Sequence, residues 1–148
     1  MADSTHSGRV VVGVDGSAVS IDALRWAGGV ATAIGAAADA VICWDYSPTN
    51  AWAGVPPDWR PDQDATTELA QAVRAAFADE TSAGLRAEMR QGHAAPILLD
   101  AGADAEMLVV GSRGHGGFAG LLLGSVSADC TEHASCPVVV MHTKSPEC

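Results

Sequence analysis

The stretch GSRGHGGFAGLLLGS, residues 111 to 125, places six glycines in fifteen positions directly after the apolar run Met107-Leu108-Val109-Val110. So many permissive backbone positions in one place are explained if something must approach the main chain closely. Gly111 lets the chain leave a strand in a tight turn, and Gly114 lets backbone N–H groups reach an anion with no Cβ in the way. Gly124-Ser125 reads as a helix opening, where exposed amides, the helix dipole and the Ser125 hydroxyl together favour an anion. Arg113 is the only cation inside the stretch; it either pairs a phosphate or points to solvent.

Two known phosphate loops do not fit. A Walker A loop requires G-x-x-x-x-G-K-[ST], and the lysine is missing. The run Gly114-His115-Gly116-Gly117-Phe118-Ala119 matches the loose dinucleotide form G-x-G-x-x-[GA]. It follows the fourth strand rather than the first and has no acidic residue at the expected strand end, so the match is read as accidental. A second chemical cluster is Val14-Asp15-Gly16-Ser17, in which Asp15 is either a ligand or a turn residue preceding a helix. Cys130-x2-His133-x2-Cys136 has metal-like spacing, but a fourth ligand is lacking and Cys136 begins a strand, so no zinc site is expected. His6, His93, His115 and His142 have no convergent acid or nucleophile in sequence, and no catalytic set is expected.

These residues need a frame. Arg9–Val14 reads as a buried strand, and Ile21, Leu24, Gly28, Ala31 and Ile34 recur at helical spacing behind the Ser17 cap. Ala40–Trp44 is a second strand. Residues 45 to 65, with four prolines and two tryptophans, read as an irregular excursion. Leu69, Ala72, Val73, Ala76 and Phe77 mark a second helix, and Leu85–Arg90 a more polar strand suited to a sheet edge. A short helix starts near Pro96, Met107–Val110 is the fourth strand, Ser125 to about Glu132 a helix, and Val138–Met141 the fifth strand. This alternation predicts an α/β fold: one domain with an open parallel five-stranded sheet and helices on both faces. If the two chemically unusual strand ends share the crevice where the winding reverses, the order is 3-2-1-4-5.

At 148 residues the chain suits a single domain, and Met1 to Gly8 reads as a flexible N-terminus without an apolar signal core. A formal net charge of −10, with Lys144 the sole lysine, argues against a grip on nucleic acid or anionic lipid. No stretch has the apolar length of a membrane span. Four cysteines without CxxC pairing suit reduced thiols in the cytoplasm, Cys43 being a small buried hydrophobe. Val138, Val139, Val140 and Met141 form an apolar edge strand without interrupting proline or lysine, so a homodimer through the fifth strand is expected.

The pattern Gly111-x2-Gly114-x9-Gly124-Ser125, with VVVGVDGS near the start, SIDALRWA in the first helix and CPVVVM near the end, resembles the ATP-binding branch of the universal stress protein family. The resemblance covers nearly the whole chain. It implies a Rossmann-like sheet, of the adenine nucleotide alpha hydrolase-like kind, that binds ATP for regulation with at most slow hydrolysis. It places Asp15 near the phosphates or ribose, the Cys43 backbone at the adenine edge, and Gly111, Arg113, Gly114, Gly124, Ser125 and Val126 around ribose and phosphates. Gly13, Val14, Val110 and Ser127, which flank these positions, complete the candidate set. With one cation in the loop of an acidic protein, the triphosphate is expected to arrive with Mg2+. Two other readings stay open: an enzyme of phosphoryl or adenylyl transfer or hydrolysis, and a scaffold holding another adenine nucleotide. The excursion at 45 to 65 matches no fixed family pattern.

Overall fold

A computed structural model describes residues 8–44, 61–77, 85–112 and 124–142. Its centre is β1 (Arg9–Val14), which is apolar on both faces, with Val10, Val11 and Val12 fully buried. Burying each of these valines contributes roughly 1.5 kcal/mol or more. On one side β1 pairs with β2 (Ala37–Trp44), from Arg9 opposite Ala37 to Val14 opposite Ile42. On the other side it pairs with β4 (Met107–Gly111), with Val10 opposite Met107 and Val12 opposite Val109. β3 (Leu85–Gln91) lies outside β2 and β5 (Val138–Met141) outside β4, all parallel, giving the order β3-β2-β1-β4-β5. The predicted order is the observed one.

Among the described residues four helices cover this sheet: α1 (Ala18–Ile34), α2 (Pro61–Phe77), α3 (Ala94–Ala101) and α4 (Ser125–His133). The strand alternation of period two sorts the core into two layers. Val10, Val12, Val14, Ala38, Ala40, Ile42 and Val109 pack with Leu24 of α1 and Leu69 and Ala72 of α2. Val11, Val41, Leu108 and Val110 pack with Leu98 of α3 and Cys130 of α4. The handedness of parallel crossovers explains the split. Moving outward from β1 to β3 puts α1 and α2 on one face, and returning past β1 to β4 and β5 puts α3 and α4 on the other. The seam between β1 and β4 is where the winding reverses.

Three boundaries differ from expectation. β2 starts at Ala37, ahead of its β-branched run, because Ala37 lies opposite Arg9 and the Arg9 guanidinium reaches Asp39 at 3.1 Å. Asp39 is buried, and Arg9 also pairs Asp104 and donates to the Ala101 carbonyl at 3.1 Å. This ties β1, β2 and the turn after α3 at the amino end of the sheet. α2 starts at Pro61, so residues 61–65 belong to a helix and not to the excursion; proline fits a first turn, whose amide has no intrahelical partner. Gly8, placed by its sequence in a flexible terminus, is buried and accepts the Ala37 N–H at 3.0 Å. Residues 1–7 and 45–60 lie outside the described residues. Among the described residues, no helix is long and apolar enough to cross a membrane.

Candidate functional site

The two chemically unusual strand ends meet at the carboxyl edge of the sheet. β1 ends at Val14 and β4 at Gly111, and extending their register sets these residues side by side.

Beyond Val14 the chain turns on Asp15 and Gly16. Asp15 Oδ1 accepts the Ser17 N–H at 2.9 Å and the Ser17 hydroxyl at 2.5 Å, an Asx turn. Gly16 takes φ of 84°, a left-handed conformation that a side chain would strain. Ser17 is the N-cap of α1, its Oγ accepting the Ser20 N–H at 3.3 Å. The buried Ser20 hydroxyl donates to the Ser17 carbonyl at 2.9 Å, and its oxygen accepts the Asp15 N–H at 3.3 Å. Its hydrogen bonds bear out the turn reading of Asp15, and the turn follows directly on the β1 end of the β1–β4 seam. Glu68 of α2 brings a second carboxylate there, 3.5 Å from where a Gly16 Cβ would stand. Neither Ser20 nor Glu68 is singled out by sequence, since each acts through contacts that only the folded turn creates.

At the other half, β4 passes through Val110 and Gly111 to the buried Ser112. The chain re-enters at Gly124, which caps α4 in extended conformation with no side-chain bond over the first turn. The first-turn amides of a helix have no intrahelical partners, so those of Ser125, Val126 and Ser127 carry the positive end of the α4 dipole. Ser125 is exposed and Val126 half-buried, whereas Ser127 is buried with its hydroxyl turned to the Ser112 carbonyl. Arg113 and Gly114 lie outside the described residues.

Gly13 faces the opposite demand. A Cβ there would stand 2.8 Å from Leu98 Cδ1, so this glycine makes room for α3. Cys43 sits one strand away, at the end of β2, with its side chain packed into the α3 layer. Burial pushes its thiol up to about 11, and the same cause raises Cys130 to about 11. Arg90, opposite Cys43 on β3, is raised chiefly by its hydrogen bonds to Glu88 and also reaches Asp100 at 3.5 Å. Cys43, Cys130 and Cys136 are free thiols. Cys130 is buried and His133 exposed, and among the described residues no group of three or more His, Cys, Asp or Glu side chains is arranged to hold a metal.

The carboxyl edge thus offers a dry strand seam, a helix start without a side-chain cap, and two carboxylates at its rim. A profile of the universal stress protein family matches residues 6–142. A universal stress protein of Mycobacterium tuberculosis is 36% identical over 136 residues, 91% of this chain and 48% of that protein. The chain spans about half the length of the curated relatives it matches. Among solved structures, a universal stress protein in complex with cAMP superposes with a TM-score of 0.69 at 27% identity, covering 93% of this chain and 98% of that one. A universal stress protein from Archaeoglobus fulgidus in complex with dAMP shares the fold, with a TM-score of 0.63 at 21% identity over 90% and 97% of the two chains.

Proposed function

Since this chain belongs to the universal stress protein family, we propose that it is a regulatory binder of an adenine nucleotide, ATP with Mg2+, held across the β1–β4 seam. The observation that supports this reading is that the β1 and β4 ends lie side by side, the Asp15 turn following the one and, after Ser112, the Gly124 start of α4 being tied to the other. A nucleotide there meets donors for its phosphates in the Ser125 and Val126 amides and the Ser125 hydroxyl. Arg113 and Gly114, which lie between Ser112 and Gly124 in the sequence, would complete the phosphate set, and the backbone around Cys43 would read the adenine edge. The charge at this edge bears on how ATP fits. Asp15 and Glu68 repel a bare triphosphate, so the phosphates need a divalent ion to neutralise them. A bound Mg2+ would supply that neutralisation, with Asp15 as its candidate ligand.

The role of Asp15 Oδ1 in the turn favours binding over turnover, because that oxygen is already engaged by the Ser17 N–H and hydroxyl. Any hydrolysis is slow and incidental. The cAMP complex of a 27% identical relative supports a second reading, in which the ligand is an adenine monophosphate. The protein acts in the cytoplasm as a homodimer joined through Val138, Val139, Val140 and Met141.

Mass spectrometry of the denatured purified protein identifies any co-purified nucleotide, and calorimetry with ATP, cAMP and adenosine ranks them. Saturable ATP binding that weakens on chelation of Mg2+ is expected. Tighter cAMP binding, indifferent to chelation, moves the assignment to the monophosphate. Equal affinity for adenosine and ATP removes the phosphates from the site.

A further inference from the structure

The chain leaves β4 and re-enters at α4 through a narrow neck held by buried hydrogen bonds. Ser112, 3% exposed, donates its N–H to the Met141 carbonyl of β5 at 2.7 Å. Its own carbonyl accepts the Gly124 N–H at 2.6 Å and the Ser127 hydroxyl at 3.2 Å. The same hydroxyl lies 3.1 Å from the Gly124 carbonyl. Ser127 is 2% exposed, so one proton in a dry place is shared between the two carbonyls on either side of the neck.

The geometry points to Ser127 as a positioning residue for the nucleotide phosphates: its hydroxyl fixes the end of β4 against the first turn of α4 and so aims the Ser125 and Val126 amides, without touching the ligand. This inference rests on the reading that phosphates meet that turn. A hydroxyl is required for this task. Alanine gives up the donor, and valine fills the space without supplying one. The neck itself survives loss of the hydroxyl, because Ser112 keeps the Gly124 N–H and the Gly124 carbonyl keeps the Ala128 N–H at 2.9 Å. Removing the hydroxyl therefore loosens the aim of the turn more than it weakens the fold.

The test compares ATP with adenosine by calorimetry in wild type, Ser127→Ala and Ser127→Thr, with the melting temperature of each ligand-free protein as a check on folding. Ser127→Ala is expected to bind Mg-ATP about fivefold more weakly, the worth of one net hydrogen bond, while adenosine changes less than about twofold. Ser127→Thr, which keeps a hydroxyl able to reach the carbonyl three residues back, restores ATP affinity. Unchanged ATP affinity in Ser127→Ala overturns the role, and so does an equal loss for ATP and adenosine, which marks a general structural defect. Amide exchange at Gly124 in the ligand-free wild type gives a second measurement independent of any variant. Slow exchange, altered little by ATP, is expected of a neck set before binding; exchange at the unprotected rate overturns it. A wild type that binds no nucleotide defeats the functional reading itself, before any variant is compared.

Discussion

Gly13 shows how a residue can belong to a site's neighbourhood for reasons of packing. The space beside its Cα is filled by Leu98, a residue with only 2% of its surface exposed. Gly13→Ala should therefore cost about 1–2 kcal/mol through overpacking, measured by urea unfolding, and the loss should shrink in a Leu98→Val background. ATP affinity should stay within about twofold, whereas a large loss of affinity at constant stability would assign Gly13 to the ligand. The thiols behave as packing groups as well. Burial raises Cys43 and Cys130 from 9.0 to about 11, so between these values the unfolded chain has released protons that the fold retains. Stability from this source is complete below pH 9 and is lost as pH climbs toward 11. The melting temperature should accordingly fall across that window, and fall less steeply in Cys130→Ala when each variant is referred to its own value at pH 8.

The start of α1 depends on a serine with two tasks, since Ser17 caps the helix and its hydroxyl braces Asp15. Ser17→Ala should lower stability by about 1 kcal/mol in thermal or urea unfolding and weaken ATP binding along with it. A stability loss without any change in affinity would leave Asp15 as a turn residue alone. The strands and this helix were legible because β-branched runs and the three-to-four residue spacing of Leu24, Gly28 and Ala31 are local signals. The first residues of β2 were not, because Ala37, Ala38 and Asp39 have little strand preference and are drawn into the sheet by β1 and Arg9. Pro61 and the acidic residues after it look like loop in isolation, yet proline suits the first turn of α2. At the candidate site, the neighbouring of the β1 and β4 ends followed from the alternation of elements and the reversal it forces. The inward hydroxyl of Ser127 and the contact of Gly13 with Leu98 did not, since each depends on a partner distant in sequence.

The two edges of the sheet are finished differently. β3 is polar, with Arg86, Ala87 and Glu88 exposed, whereas all four residues of β5 are apolar and half-buried. The direction of the β5 hydrogen bonds identifies the residues that could meet a second copy. Pro137 and Met141 turn their carbonyls to β4, accepting from Leu108 and Ser112, so by alternation Val139 also faces β4 while Val138 and Val140 face outward. A homodimer joined edge to edge should be broken by Val140→Pro, which removes an outward donor and leaves the β4 ladder whole. Light scattering at micromolar concentration should show dimer for the wild type and monomer or aggregate for the variant; a monomeric wild type would exclude the edge as an interface. The seam between β1 and β4 has a consequence in time. It joins residues about 100 positions apart, whereas β1, α1 and β2 are neighbours along the chain. Closing so long a loop is slow, and a newly made chain can pair β1 with β2 well before β4 has left the ribosome. The crevice is thus assembled late, and a nucleotide bridging it as proposed would grip contacts that the folding transition state has yet to make. Such a ligand acts as a latch on the finished protein, lengthening its lifetime before unfolding while leaving the speed of folding as it was.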